Sequence, residues 1–245
     1  MVKSEWQTTH TICSYDVDPQ LTVRLPVLCC FMQEAAYHHA ENLGLGYSCL
    51  SKNNLGWVLS RQRIEVSRLP TWGETIIIRT WPSGRDRLFF HRDFEITDGD
   101  GNLILQASTA WSVIHVALRE RIRSDFYLKS ELPEVGARVF DSKLGRLKPC
   151  GCEEGELLVV NYGDLDMNGH VNNVRYIEWI LDRLSLNFHE SHAIQSLEVN
   201  YLAEAICGHT VSICSNATDP LQIDHGIYAA ETELFRAKSV WKTIT

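Results

Sequence analysis

The sequence predicts an α+β chain made of two copies of one plan, a long helix followed by a meandering antiparallel sheet. Three observations carry that expectation. A faint repeat relates the halves: "QASTAWSVI" (106–114) and "RAKSVWKTI" (236–244) hold Ala, Ser or Thr, a small apolar residue, Trp and Ile at one spacing. "RIEVSRLPTWGETIII" (63–78) resembles "SLEVNYLAEAICGHTVSI" (196–213), which pairs Glu65 with Glu198, and "YDVD" (15–18) echoes "GDLD" (163–166). Each half also has one pattern of helical period ahead of alternating, strand-like runs.

In the first half, "LPVLCCFMQEAAYHHAENLG" (25–44) has Pro26 where a helix starts and Gly44 where it ends. The runs "ETIIIRTW", "FFHRDFEIT" and "LILQASTAWSVIH" read as strands, the last two joined by the turn signal "DGDGN" (98–102). In the second half a helix is expected to begin near His170 or Val171. Val171, Val174, Ile177, Leu181 and Leu184 then fall three or four apart on one apolar face. Residues 129–156 have little periodicity. They divide the chain into an expected first domain (1–135), a linker (136–155) and a second domain (156–245).

Composition narrows the partners. The 245 residues are 44% hydrophobic, enough for a sizeable core, and no apolar run is long enough to span a membrane. A net charge of −8 with no basic stripe argues against nucleic acid. The N-terminal "MVKSEWQTTHTICSYD" has neither a signal core nor a transit pattern, which points to the cytosol. Eight cysteines without framework spacing read as reduced thiols. His38-His39 and His189/His192 lack companion ligands at metal-site spacing, so neither a metal nor a cofactor is expected.

The densest polar cluster is "GDLDMNGHVNN" (163–173). As a helix start it needs one Asn or Asp cap, worth about 0.5–2 kcal/mol. It supplies several such residues, and a second reading uses them as a reaction centre. A helix N-terminus favours a developing oxyanion and biases a nearby imidazole toward its neutral, proton-accepting form. Asp166 would orient His170, and Asn168 would offer an amide N–H to a polarised carbonyl. Hydrolysis or acyl transfer and plain capping both fit the residues.

"DLDMNGHVNNVRYIEWILD" (164–182) closely resembles the signature of the acyl-acyl carrier protein thioesterases of bacteria and plants. Asp166, Asn168, His170, Val171, Asn172, Asn173, Tyr176 and Trp179 stand at its fixed positions. Residues 56–82, "ASTAWSVI" and 197–211 resemble further blocks of the family, so the likeness runs over nearly the whole chain. The resemblance implies two tandem hotdog domains, each a long helix wrapped by an antiparallel sheet. It implies hydrolysis of a fatty acyl thioester on the phosphopantetheine arm of acyl carrier protein. It also implies a catalytic set of Asp166, Asn168, His170 and a downstream acid that maps onto Glu204.

Strand alternation through Leu197, Val199, Tyr201 and Ala203 would turn Glu204 away from the helix unless a bulge re-aims it. Cys207, three residues on, is a rival nucleophile, although a cysteine is more often a small buried hydrophobe. The first half keeps Asp16 and Asp18 but no matching Asn or His, which leaves one centre per chain. Phe31, Met32, Ala35 and Ala36 of its helix are candidates for lining the acyl channel. An acyl-CoA thioesterase and a non-catalytic acyl-binding protein are the competing readings. A fused pair of domains fits a monomer or a homodimer.

Overall fold

Pro26 opens the first helix and Gly44 closes it at φ +71°, a conformation that favours glycine. The computed structural model describes residues 3–122, 136–151 and 154–244. The expected boundary at 135 and Cys152 lie outside them. The chain divides into two compact units, Met1–Leu144 and Gly145–Thr245.

The first unit runs β1 (Trp6–Thr11), α1 (Leu25–Asn42), α2 (Tyr47–Leu50), β2 (Leu55–Val66), β3 (Thr75–Arg85), β4 (Phe90–Asp98), β5 (Leu103–His115) and β6 (Glu120–Ile122). Its antiparallel strands lie in the order β1-β3-β4-β5-β2, with β6 on β5. The "DGDGN" turn closes on Asp98, whose Oδ1 accepts the main-chain N–H groups of Asp100 and Asn102. Helix α1 buries Leu25, Leu28, Cys29, Met32, Ala35, Ala36 and His39, spaced mostly three and four apart. Three of the four candidate channel residues, Met32, Ala35 and Ala36, are among them, while Phe31 stacks on His10 of β1 with ring centroids 4.3 Å apart.

His39 is fully buried, and burial pushes its pKa down to about 4. Its Nδ1 lies 2.9 Å from the Arg92 guanidinium, which only donates, so Nε2 carries the proton toward the Lys3 carbonyl at 3.0 Å. Both ring nitrogens are thereby engaged in the fold. His38 pairs with Glu34 on the helix surface at 3.0 Å.

The second unit runs β7 (Glu156–Val159), α3 (Asn173–Leu181), α4 (Leu186–Ser191), β8 (His192–Tyr201), β9 (Thr210–Asp219), β10 (Gln222–Ala229) and β11 (Thr232–Thr243). The strands are ordered β8-β11-β10-β9-β7. Helix α3 buries Val174, Tyr176, Ile177, Trp179, Ile180 and Leu181. The Tyr176 ring stacks on Phe235 of β11 at 5.5 Å and meets Trp179 and Tyr201 edge-on. Such aromatic pairs contribute about 0.5–1.5 kcal/mol each beyond simple burial.

Each unit is hotdog-like, a helix packed on an antiparallel sheet that does not close into a barrel. The repeat extends to side-chain bonding. Trp111 Nε1 donates to Thr109 Oγ1 and Trp241 Nε1 to Ser239 Oγ, both at 2.9 Å.

The described part of the aperiodic stretch, 136–151, has neither helix nor strand, and polar side chains hold its main chain. In the first unit, buried Asp93 accepts the Val139 N–H at 2.8 Å, and Arg61 donates to the Leu144 carbonyl at 2.6 Å. In the second, Asn200 accepts the Leu147 N–H and Arg236 donates to its carbonyl, both at 2.8 Å. Main-chain tethers of this kind leave no periodic trace, which is why the segment reads as featureless.

One cysteine departs from the expectation of reduced thiols. Among the described residues Cys214 of β9 is disulfide-bonded, while Cys13, Cys29, Cys30, Cys49, Cys150 and Cys207 are in no disulfide. Spacing along the chain does not reveal which thiols a fold brings within bonding distance.

Candidate active site

The polar cluster is a small hairpin, and the helix begins after it. Leu165 and Val171 form an antiparallel bridge, the Asp166 N–H donates to the His170 carbonyl at 2.7 Å, and Gly169 turns the chain at φ +79°. Asp166 ties the loop together. Its Oδ1 accepts the N–H groups of Asn168 at 2.8 Å and His170 at 3.2 Å, and its Oδ2 lies 3.3 Å from the Asn168 amide. Asp166 therefore holds the main chain of His170.

The expected helix start near His170 or Val171 is thus corrected to Asn173. Those residues spend their backbone groups on the hairpin, and Asn172 is the cap, its Oδ1 accepting the Val174 N–H at 2.9 Å. The N–H groups of Asn172, Val174 and Arg175 all have partners at this helix start. His170 accordingly stands outside the first helical turn, where the field of a helix end acts.

Asp164, which the sequence reading passed over, anchors the hairpin from below. It is buried, accepts the Asn161 N–H at 2.7 Å, and pairs with Arg175 of α3 at 3.0 Å. Its only sequence signal was the echo with "YDVD".

That echo is structural. In the first unit, Asp16 accepts the Cys13 N–H as Asp164 accepts that of Asn161. Asp18 accepts the N–H groups of Gln20 and Thr22 as Asp166 accepts those of Asn168 and His170. Val17 bridges Val23, Leu21 takes the place of Gly169 at φ +60°, and α1 starts at Leu25 where α3 starts at Asn173. The two aspartates of each loop build the same hairpin in both units. Asn168 and His170 replace Gln20 and Thr22, so the chemistry distinguishing the second loop lies in those two side chains.

Glu204 lies beyond β8, which ends at Tyr201, so strand alternation does not govern it. Its loop is drawn to the hairpin by the Val171 N–H donating to the Ala205 carbonyl at 2.9 Å. Glu204 Oε2 thereby comes within 3.4 Å of His170 Nε2, with the two side chains 38% and 27% exposed. The acid and the imidazole are in contact with each other and open to solvent. In the first unit the Val23 N–H donates to the Pro70 carbonyl in the same way, which makes Pro70 the counterpart of Ala205 and Leu69 that of Glu204. By this register Glu65 corresponds in the repeat to Asn200, two residues from the Glu198 that sequence similarity suggested.

Cys207 is an exposed, free thiol, and among the described residues no hydrogen bond joins it to His170. Without a base in contact, a thiol lacks the partner that would activate it as a nucleophile. Cys207→Ser is therefore expected to keep turnover within about twofold of wild type; a loss of two orders of magnitude in a hydrolysis assay would reinstate the cysteine. Among the described residues, no three His, Cys, Asp or Glu side chains cluster as metal ligands would, and no helix is long and apolar enough to cross a membrane.

Two family models cover most of the chain: the acyl-ACP thioesterase N-terminal domain matches residues 3–126 and the C-terminal domain residues 150–243. The chloroplastic acyl-[acyl-carrier-protein] hydrolase FATB1 of Cuphea viscosissima is 29% identical over 96% of this chain and 61% of its own length. The chloroplastic palmitoyl-acyl carrier protein thioesterase of Gossypium hirsutum is 31% identical over 81% of this chain and 51% of its own. The chain thus spans about half to two thirds of those relatives. An acyl-ACP thioesterase from Bacteroides thetaiotaomicron superposes with a TM-score of 0.86 at 27% identity, covering 98% of both chains. The 12:0-ACP thioesterase from Umbellularia californica has the same fold, with a TM-score of 0.90 at 24% identity over 100% of this chain and 99% of its own.

The plant relatives also overturn the cytosolic placement, because they are chloroplast proteins. Targeting segments are removable and lie outside the fold, so the missing transit pattern in the first residues was no guide to compartment.

Proposed function

The chain belongs to the acyl-ACP thioesterase family, and from that premise we propose that it hydrolyses fatty acyl thioesters carried on acyl carrier protein, using Glu204, His170 and Asn168. The observation that carries this reading is the 3.4 Å approach of Glu204 Oε2 to His170 Nε2, beside a hairpin that holds Asn168. A water molecule at this pair gives a proton to it as the water oxygen attacks the thioester carbonyl carbon. The Asn168 amide donates to the oxygen as it becomes negative. Collapse of the tetrahedral intermediate breaks the C–S bond, and the protonated pair returns its proton to the phosphopantetheine sulfur. The products are a free fatty acid and the carrier thiol, with no acyl-enzyme. Asp166 sets the loop on which both side chains stand. The first unit, which has Thr22 and Leu69 in place of His170 and Glu204, serves the acyl chain through helix α1.

The test is hydrolysis across a series of acyl chain lengths on acyl carrier protein and, in parallel, on CoA. Free fatty acid released from acyl carrier protein supports the proposal. Release from CoA esters alone would replace it with an acyl-CoA thioesterase. Binding without release on either carrier would replace it with an acyl-binding protein.

A further inference from the structure

The reacting pair of the proposed function depends on where a loop is held. Glu204 belongs to no strand, and the residue after it is fixed through both its N–H and its carbonyl. The Ala205 carbonyl accepts from Val171, and the Ala205 N–H donates to the Tyr176 hydroxyl at 3.0 Å. Ala205 is fully buried and Tyr176 nearly so. Tyr176 is itself immobilised, its ring stacked on Phe235 and flanked by Trp179 and Tyr201.

The first unit supplies an internal comparison. The shared helix start puts Leu28 at the place of Tyr176, and the shared loop bond puts Pro70 at the place of Ala205. Leucine has no hydroxyl and proline no N–H. The first unit therefore keeps the counterpart of the Val171 bond, which builds the fold, and lacks both partners of the Tyr176 bond. It also lacks both members of the reacting pair, with Leu69 for Glu204 and Thr22 for His170. The hydroxyl-to-backbone bond is found only where the acid and the imidazole are found.

We propose that Tyr176 is a positioning residue for Glu204, its hydroxyl holding the Ala205 N–H so that the carboxylate faces His170. The inference rests on the reading of Glu204 and His170 as the reacting pair. Burial, the largest cause, pushes the Tyr176 phenol up to about 12, aided by the nearby charges of Glu204 and Asp166. The hydroxyl stays neutral across the ordinary range of enzyme assays and still accepts from Ala205.

The test is steady-state hydrolysis of saturated acyl thioesters of acyl carrier protein by single and double variants. Tyr176→Phe keeps the ring stack and removes the hydroxyl. It is expected to lower kcat about 10–100-fold with KM within about twofold, because misplacement by about 1 Å costs that much. Ala205→Pro removes the N–H instead, as Pro70 does in the first unit, and is expected to act in the same direction. It carries the test alone if phenylalanine at 176 prevents folding. In a Glu204→Gln background, Tyr176→Phe should add less than about a threefold loss, since a residue acting through Glu204 has nothing left to position.

Wild-type kcat in Tyr176→Phe overturns the inference, as does a loss that multiplies in full with that of Glu204→Gln. Tyr201→Phe removes a neighbouring hydroxyl that donates to the Asn173 carbonyl at 3.2 Å. An equal loss there would show general loosening of the cluster and would also overturn it. Full activity of Glu204→Gln is a different failure, because it removes the reacting pair itself and the inference with it.

Discussion

His170→Ala is expected to lower kcat by about 10²–10⁴-fold, the usual range for losing a general acid–base group, and to leave the protein folded. The imidazole meets the Glu204 carboxylate at 3.4 Å and is 27% exposed, so it fills no core position. The bonds that shape the hairpin use the main chain of His170, and alanine retains them. Stability is therefore expected to change by less than about 0.5 kcal/mol, or about 2 °C in Tm for a chain of this size. Turnover and melting should separate cleanly, and Glu204→Gln should behave in the same way. If His170→Ala hydrolyses acyl-acyl carrier protein within about twofold of wild type, the reaction does not run through this pair.

The second large effect distinguishes two aspartates that make the same bonds. Asp166→Ala leaves the N–H groups of Asn168 and His170 without their acceptor, and Asp18→Ala does the same to Gln20 and Thr22. Each is expected to cost about 1–2 kcal/mol of stability, as for the loss of a helix cap or a local carboxylate acceptor. Only the hairpin of Asp166 carries Asn168 and His170, so only Asp166→Ala should lower kcat as well, by about 10²-fold. Asp18→Ala should keep kcat per folded molecule within about twofold. Urea unfolding of both variants, followed by turnover corrected for the folded fraction, makes the comparison. Equal losses of turnover would mean that the first hairpin takes part in catalysis and that the division of roles between the units is wrong.

The Asp-x-Asp echo was legible in the sequence before its meaning was. Asp18 and Asp166 bond groups two and four residues away, so their pattern is written in neighbouring positions of the chain. The same holds for Pro26 and Gly44 at the ends of α1 and for the turn built on Asp98. The start of α3 was misplaced because Val171 continues the apolar helical period while its backbone is committed to the bridge with Leu165. Periodicity records which side chains are buried, and Val171 is buried in either conformation. Asp164 and Arg175 were missed for a related reason. A buried carboxylate and its cation on a helix resemble any surface pair until burial is known.

Glu204 marks the boundary between the two kinds of information. Family likeness pointed to it and strand alternation pointed away, and the alternation was counted three residues past the end of β8. By itself the sequence determined the duplicated plan, the two helices with their strands, and a polar turn offering Asn168 and His170, all set by bonds and periods within a few residues. Only the tertiary structure decided that Glu204 meets His170, that Cys207 is not bonded to it, and that Cys214 is disulfide-bonded. Those outcomes depend on segments distant in the chain; the Glu204 loop is brought to the hairpin by the Val171 and Tyr176 bonds to Ala205, with Tyr176 itself packed against Phe235. No pattern of neighbouring residues encodes such a meeting, because its geometry is the sum of every element folded between them.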